Sequence, residues 1–207
     1  MSNACRFWPA AATAALLSIS AGTAHSETIV RKSTSYFQIG GRTAAEIDDE
    51  LTRKGPMTQM TGNRHPGATQ IRFGGDLTYI RKGERCAIED ARVTLDTKII
   101  LPRWKNRKRA TTELAFIWDA LAADIKRHEE RHAEIARQYA RNLEKALKRI
   151  PAQDDCDKMQ DKVAEVTDRL TIAHDEAQMT FDRIEAKNFQ NRMARILRYK
   201  SGRESDN

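Results

Sequence analysis

Two histidines one helical turn apart, with a glutamate beside the first, are the residues in this chain best suited to chemistry: His128-Glu129-Glu130-Arg131-His132. On an α-helix, positions i and i+4 share a face, so imidazoles at 128 and 132 can grip one divalent cation. Glu129 lies about a third of a turn round, within reach of a water on that cation. Zinc suits such a pair. It binds imidazole nitrogen, lowers the pKa of its water to about 7, and leaves the proton to a neighbouring carboxylate acting as general base. This is the geometry that a zinc metalloprotease motif requires. Without a metal, imidazoles on an inward face need other hydrogen-bond partners.

A catalytic zinc also needs a third protein ligand and an open position. The chain has five histidines, and beyond its first 26 residues only His65 and His174 remain besides the pair. If the helix carrying the pair turns back near residues 150–154, residue 129 faces about residue 174. That makes His174 the first candidate for third ligand, followed by Asp175, Glu176 and Glu185. His174 reads equally well as a helix-surface histidine. His65, in Asn63-Arg64-His65-Pro66-Gly67, reads as a loop residue.

The pair needs a rigid support, and residues 111–150 supply one. Leu114, Trp118, Leu121, Ile125, His128, His132, Ile135, Tyr139, Leu143, Ala146 and Ile150 follow steps of three and four, which predicts one continuous helix capped at Thr111 or Thr112 and ended by Pro151. Asp154 or Asp155 caps a second helix, with a stripe from Met159 through Val163, Val166, Leu170, Ala173, Ala177 and Phe181 to Ile184. A short linker makes the two antiparallel neighbours. Upstream the pattern changes. Thr34 to Ile39 reads as a strand, and Thr43 to Lys54 as a helix stopped by Gly55-Pro56. Thr69–Phe73 and Asp76–Arg81 read as a hairpin turning at Gly74-Gly75. From Cys86 to Leu101, Val93, Leu95, Thr97 and Ile99 alternate with polar residues until Pro102 ends the strand. The expected fold is α+β: a small antiparallel sheet with one short helix (27–110), then a long antiparallel helical hairpin (111–199). The two parts form a single domain, and 200–207 is expected to be a disordered tail.

Residues 1–26 read as an export signal cut after Ser26. Arg6 supplies the basic start, Phe7 to Ser20 the apolar core, and Ala24 and Ser26 the small residues before the cut. The apolar core is too short for a membrane span of ~20 residues. Two cysteines remain, Cys86 and Cys156; in an oxidising compartment they are expected to form one disulfide. With 36 Lys+Arg against 29 Asp+Glu the net charge is +7, a mixed surface rather than a one-sided basic stripe, so no nucleic-acid partner is expected. The basic run Arg103, Lys105, Arg107, Lys108 and Arg109 could meet an anionic envelope surface, although a solvated loop explains it as well. There is no phosphate-cradling glycine loop and no Gly-x-Ser-x-Gly.

The chain resembles a bacterial family of predicted secreted zinc-dependent proteases, long known only as a domain of unknown function. The likeness runs from Tyr36 through Gly41-Arg42-Thr43-Ala44 and Lys54-Gly55-Pro56. It continues through Cys86, Val93-Thr94-Leu95 and Leu101-Pro102-Arg103-Trp104 to Trp118, the His128–His132 motif and Cys156. It implies a periplasmic or secreted metallopeptidase acting on a peptide or protein substrate. Members often carry a Tyr-Asp pair followed by Thr-x-His-Gly; here Phe181-Asp182 is followed by Glu185-Ala186-Lys187-Asn188, and the His-Gly is absent. Two expectations follow. One is an exported zinc metallopeptidase with His128 and His132 on the metal, His174 as third ligand and Glu129 as base. The other is a non-catalytic periplasmic helical-hairpin scaffold or envelope-binding protein.

Overall fold

The computed structural model describes residues 28–58 and 62–204; the expected export signal lies outside them. The fold is α+β. Strand β1 (Ile29–Ile39) leads into helix α1 (Ala44–Lys54); strands β2 (Ala68–Lys82) and β3 (Arg85–Trp104) follow, then helices α2 (Thr112–Lys148) and α3 (Cys156–Glu204). The sheet has the order β1-β3-β2 and is mixed, not purely antiparallel as expected: β2 pairs antiparallel with β3, while β1 runs parallel to it. The reason is the connection. Helix α1 and β2 both intervene between β1 and β3, and that length of chain lets β1 return in the same direction as β3.

The glycine pair at 74–75 is not a turn. Strand β2 runs straight through it, and the hairpin turns at Gly83-Glu84, where Gly83 has φ +66°. Gly75 is there for close approach: a Cβ on it would lie 2.3 Å from the Arg92 carbonyl oxygen on β3. Pro102 does not end β3 either. Pairing with β2 stops at Ala68↔Ile100, so beyond that point β3 is bonded only to β1, and a missing N–H can face the open side. The alternation in β3 does fall as expected, with Val93, Leu95, Thr97 and Ile99 buried on one face.

That face carries α2. Leu95, Val93 and Ala91 pack with Ala136, Ala140, Leu143 and Leu147 of α2 and with Val166 of α3; Ile99 and Leu101 pack with Ile125 and Ala133. The small alanines form the sheet-facing row of α2, whereas the row holding His128 and His132 turns toward α3. Thr111 caps α2 by accepting from the Leu114 N–H, and Thr43 caps α1 by accepting from the Glu46 N–H. Helix α3 continues through Glu204, past the start of the tail expected from Lys200. A disulfide joins Cys86 at the start of β3 to Cys156 at the start of α3. Among the described residues no helix is long and apolar enough to cross a membrane.

Candidate metal centre

Helix α2 presents His128 and His132 on one face, one turn apart, and α3 lies across them. The Nε2 atoms of the two imidazoles are 3.0 Å apart. Asp182 on α3 brings Oδ1 to 3.0 Å from His132 Nε2 and 3.3 Å from His128 Nε2. Among the described residues these three form the one group of His, Cys, Asp or Glu whose ligand atoms all lie within 4.8 Å of one another. The Phe181 ring stacks on His128 with centroids 5.0 Å apart and meets His132 edge-on, which holds both rings against the hairpin.

His174, expected as third ligand, is not at the centre. It lies two turns before Asp182 on the same face of α3. Its ring is buried between Phe73 and Tyr139, with Nδ1 2.9 Å from Asp175 Oδ1 and Nε2 2.9 Å from Gln178 Nε2. The cause is register. His128 faces Asp182 and His132 faces Gln178, about two turns further along α3 than a tight turn at 150–154 allows. Before α3 begins, the linker travels past the end of α2 to join β3: Cys86 and Gln153 exchange two backbone hydrogen bonds of 2.8 Å. The helical spacing 174, 178, 182 was visible in the sequence. The offset between the helices was not, so Gln178 and Asp182 were missed as partners of the pair. Asp175 serves His174, and Glu176 is exposed.

Glu185 comes closer, with Oε2 3.8 Å from His128 Nδ1, but it is committed to cations: Arg127 pairs with it, and Arg192 Nη2 lies 3.0 Å away. Arg192 also binds the buried Asp124 carboxylate through two bonds of 2.7 and 3.1 Å, clasping α3 to α2 just beyond the site. His65 sits in the loop after α1, where its backbone N–H donates to the Pro56 carbonyl at 3.0 Å. Of the basic run, Arg107 is bidentate to Asp119 at 2.8 and 2.6 Å, and the Arg103 guanidinium lies 4.1 Å from the centroid of the Tyr36 ring.

Glu129, the next residue of α2 after His128, reaches Thr69 at the start of β2. It is only 5% exposed, and the Thr69 hydroxyl donates to its Oε2 at 2.8 Å. Burial raises its pKa above the usual carboxylate range, against the lowering influence of Thr69 and of the nearby His132 and His128. Burial works against charge on Asp182 as well, but hydrogen bonds from His128 and His132 outweigh it and hold that carboxyl well below the usual range. His132 is the counterpart: burial opposes its charge, yet Asp182 and Gln178 together raise its pKa. The site thus pairs one carboxylate kept ionised beside the imidazoles with a second, drier one that holds its proton more readily.

Comparison with known proteins adds the family. No curated protein and no solved structure matches the chain. Residues 34–189, a span containing the two disulfide-bonded cysteines, Glu129 and the three side chains of the cluster, match the pattern of a bacterial protein family of unknown function, DUF922, and the chain belongs to that family.

Proposed function

We propose that the chain is an exported zinc-dependent metallopeptidase. The observation that carries this reading is the convergence of His128 Nε2, His132 Nε2 and Asp182 Oδ1, spaced 3.0–3.3 Å apart. Tetrahedral ligands at about 2.0–2.1 Å from zinc stand about 3.3 Å from one another, so the donor set matches in both chemistry and spacing. When bound, the ion would supply Lewis acidity, lowering the pKa of a coordinated water to about 7 and polarising a peptide carbonyl. His128, His132 and Asp182 would hold the ion. Glu129, with its affinity for protons raised by burial, would serve as the general base and proton carrier of the site. Thr69 keeps the Glu129 carboxylate in place. The Cys86–Cys156 disulfide fits an oxidising compartment and so supports export.

Metal analysis is the direct test. The purified chain should bind close to one zinc, and His128→Ala should abolish that binding; a parent without zinc rejects the reading. Glu129→Gln should keep the metal and lose peptide hydrolysis. The second reading, a helical-hairpin scaffold at the envelope, draws on the exposed apolar residues Ile172, Met179, Ile184 and Phe189 along α3 and on the missing His-Gly. Tight zinc binding with no cleavage of any protein or peptide by the parent favours that alternative.

A further inference from the structure

The buried side chains behind the metal centre fix which nitrogen of His132 carries its proton. Gln178 is 2% exposed and makes three contacts. Its Nε2 lies 3.1 Å from the His132 carbonyl oxygen and 2.9 Å from His174 Nε2, while its Oε1 lies 2.6 Å from His132 Nδ1. A backbone carbonyl can only accept, so the amide nitrogen must face it and the amide oxygen must face the His132 ring. An amide oxygen can only accept, so His132 Nδ1 must carry a hydrogen. The second amide hydrogen goes to His174 Nε2, which must then be unprotonated, leaving His174 Nδ1–H to donate to Asp175 Oδ1 at 2.9 Å. Each assignment follows from the one before it.

We propose that Gln178, buttressed by His174 and Asp175, is a positioning relay that locks His132 in its Nδ1–H tautomer and so directs the Nε2 lone pair at the cation. This rests on the metal reading for its purpose, though not for its geometry. It also accounts for a buried histidine on the same face as Asp182 that is not a ligand. Outer partners of this kind fix ring orientation and typically contribute 10–100-fold in metal affinity.

Two measurements on the full chain test it. The first needs no metal. Proton–nitrogen correlation spectra of the metal-free chain should show a hydrogen on His132 Nδ1, whether or not Nε2 shares another with Asp182 3.0 Å away; a bare Nδ1 in the parent overturns the proposal. In Gln178→Leu the lock is gone, and the spectrum should shift toward a mixture. The second measurement is zinc affinity by competition with a chelating dye. Gln178→Leu should bind about 10–100-fold more weakly. Gln178→Glu keeps an acceptor for Nδ1–H and should recover most of that loss, whereas Gln178→Met, of similar size but without the acceptor, should not; recovery in Gln178→Met would mean that Gln178 only fills space and overturns the proposal. Equal affinity in Gln178→Leu and the parent overturns the proposal. A parent that binds no zinc but shows the hydrogen on His132 Nδ1 refutes the metal reading and leaves the relay standing.

Discussion

At Gly67 the loop after α1 passes close against Glu129 and Ile125. A Cβ there would lie 2.7 Å from Ile125 Cγ2 and 2.9 Å from Glu129 Oε1, so the backbone must pass without a side chain. Gly67→Ala should therefore cost about 1–3 kcal/mol in urea denaturation, since overpacking a filled core forces neighbours out of place. If Glu129 serves as base and not as ligand, Gly67→Ala should also lower hydrolysis more than zinc affinity. Equal losses in both would argue against that division of roles. Asp182→Asn tests the other carboxylate: on the proposed reading, in which Asp182 is a ligand, zinc affinity should fall by more than the ~100-fold ceiling of an outer-shell change. The two residues differ in how far the sequence reveals them. His128, Glu129 and His132 are legible because their spacing lies within one helix, whose geometry fixes their relation. Asp182 is 50 positions beyond His132, and only the packing of two helices brings it there.

Helix α1 packs Ile47 and Leu51 against Ile39, Trp104 and Trp118, and one buried carboxylate joins it to the end of β1. Glu50 accepts the Gly40 N–H at the end of β1 at 2.7 Å and is paired with Lys54 at 2.6 Å and with Arg53. The Lys54 ammonium and the Gly40 amide, with Arg53, hold its pKa down at about 2, against an ordinary 4.5. A depressed folded-state value means that the ionised carboxylate stabilises the fold, fully above pH 4.5 and progressively less as pH falls toward 2. Glu50→Gln should flatten this part of the acid limb in melting temperature against pH; parallel curves for parent and variant would show that Glu50 contributes nothing there. The N-caps of α1 and α2 were readable, from Thr43 and from the pair Thr111 and Thr112, because capping is local. The role of Gly74-Gly75 was not, since a glycine pair marks either a turn or a close approach, and only the partner strand decides between them. Pro102 is a similar case: whether β3 can continue through it depends on where β2 stops pairing.

At the scale of the molecule, three tethers set the hairpin's register: the disulfide at its closed end, the His132–Gln178 contact in the middle, and the Arg192–Asp124 clasp beyond the site. The expected turn at 150–154 treated the linker as a short bridge between two helices. In the fold it is also a partner of β3 through Gln153, and this moves α3 by two turns. The tethers lie far apart along one rigid rod, since Cys156 and Asp182 are separated by about 39 Å of helix at 1.5 Å per residue. Stability and metal binding should therefore separate when the closed end is released. The disulfide closes a 70-residue separation, so removing it should cost about 4 kcal/mol through chain entropy. A Cys86→Ala, Cys156→Ala double variant should lose about that much in urea denaturation while keeping the parent's zinc affinity, because Gln178 and the Arg192 clasp still hold α3 in register at the site. If zinc affinity falls along with stability, the closed end sets the register at the centre and the local contacts do not suffice.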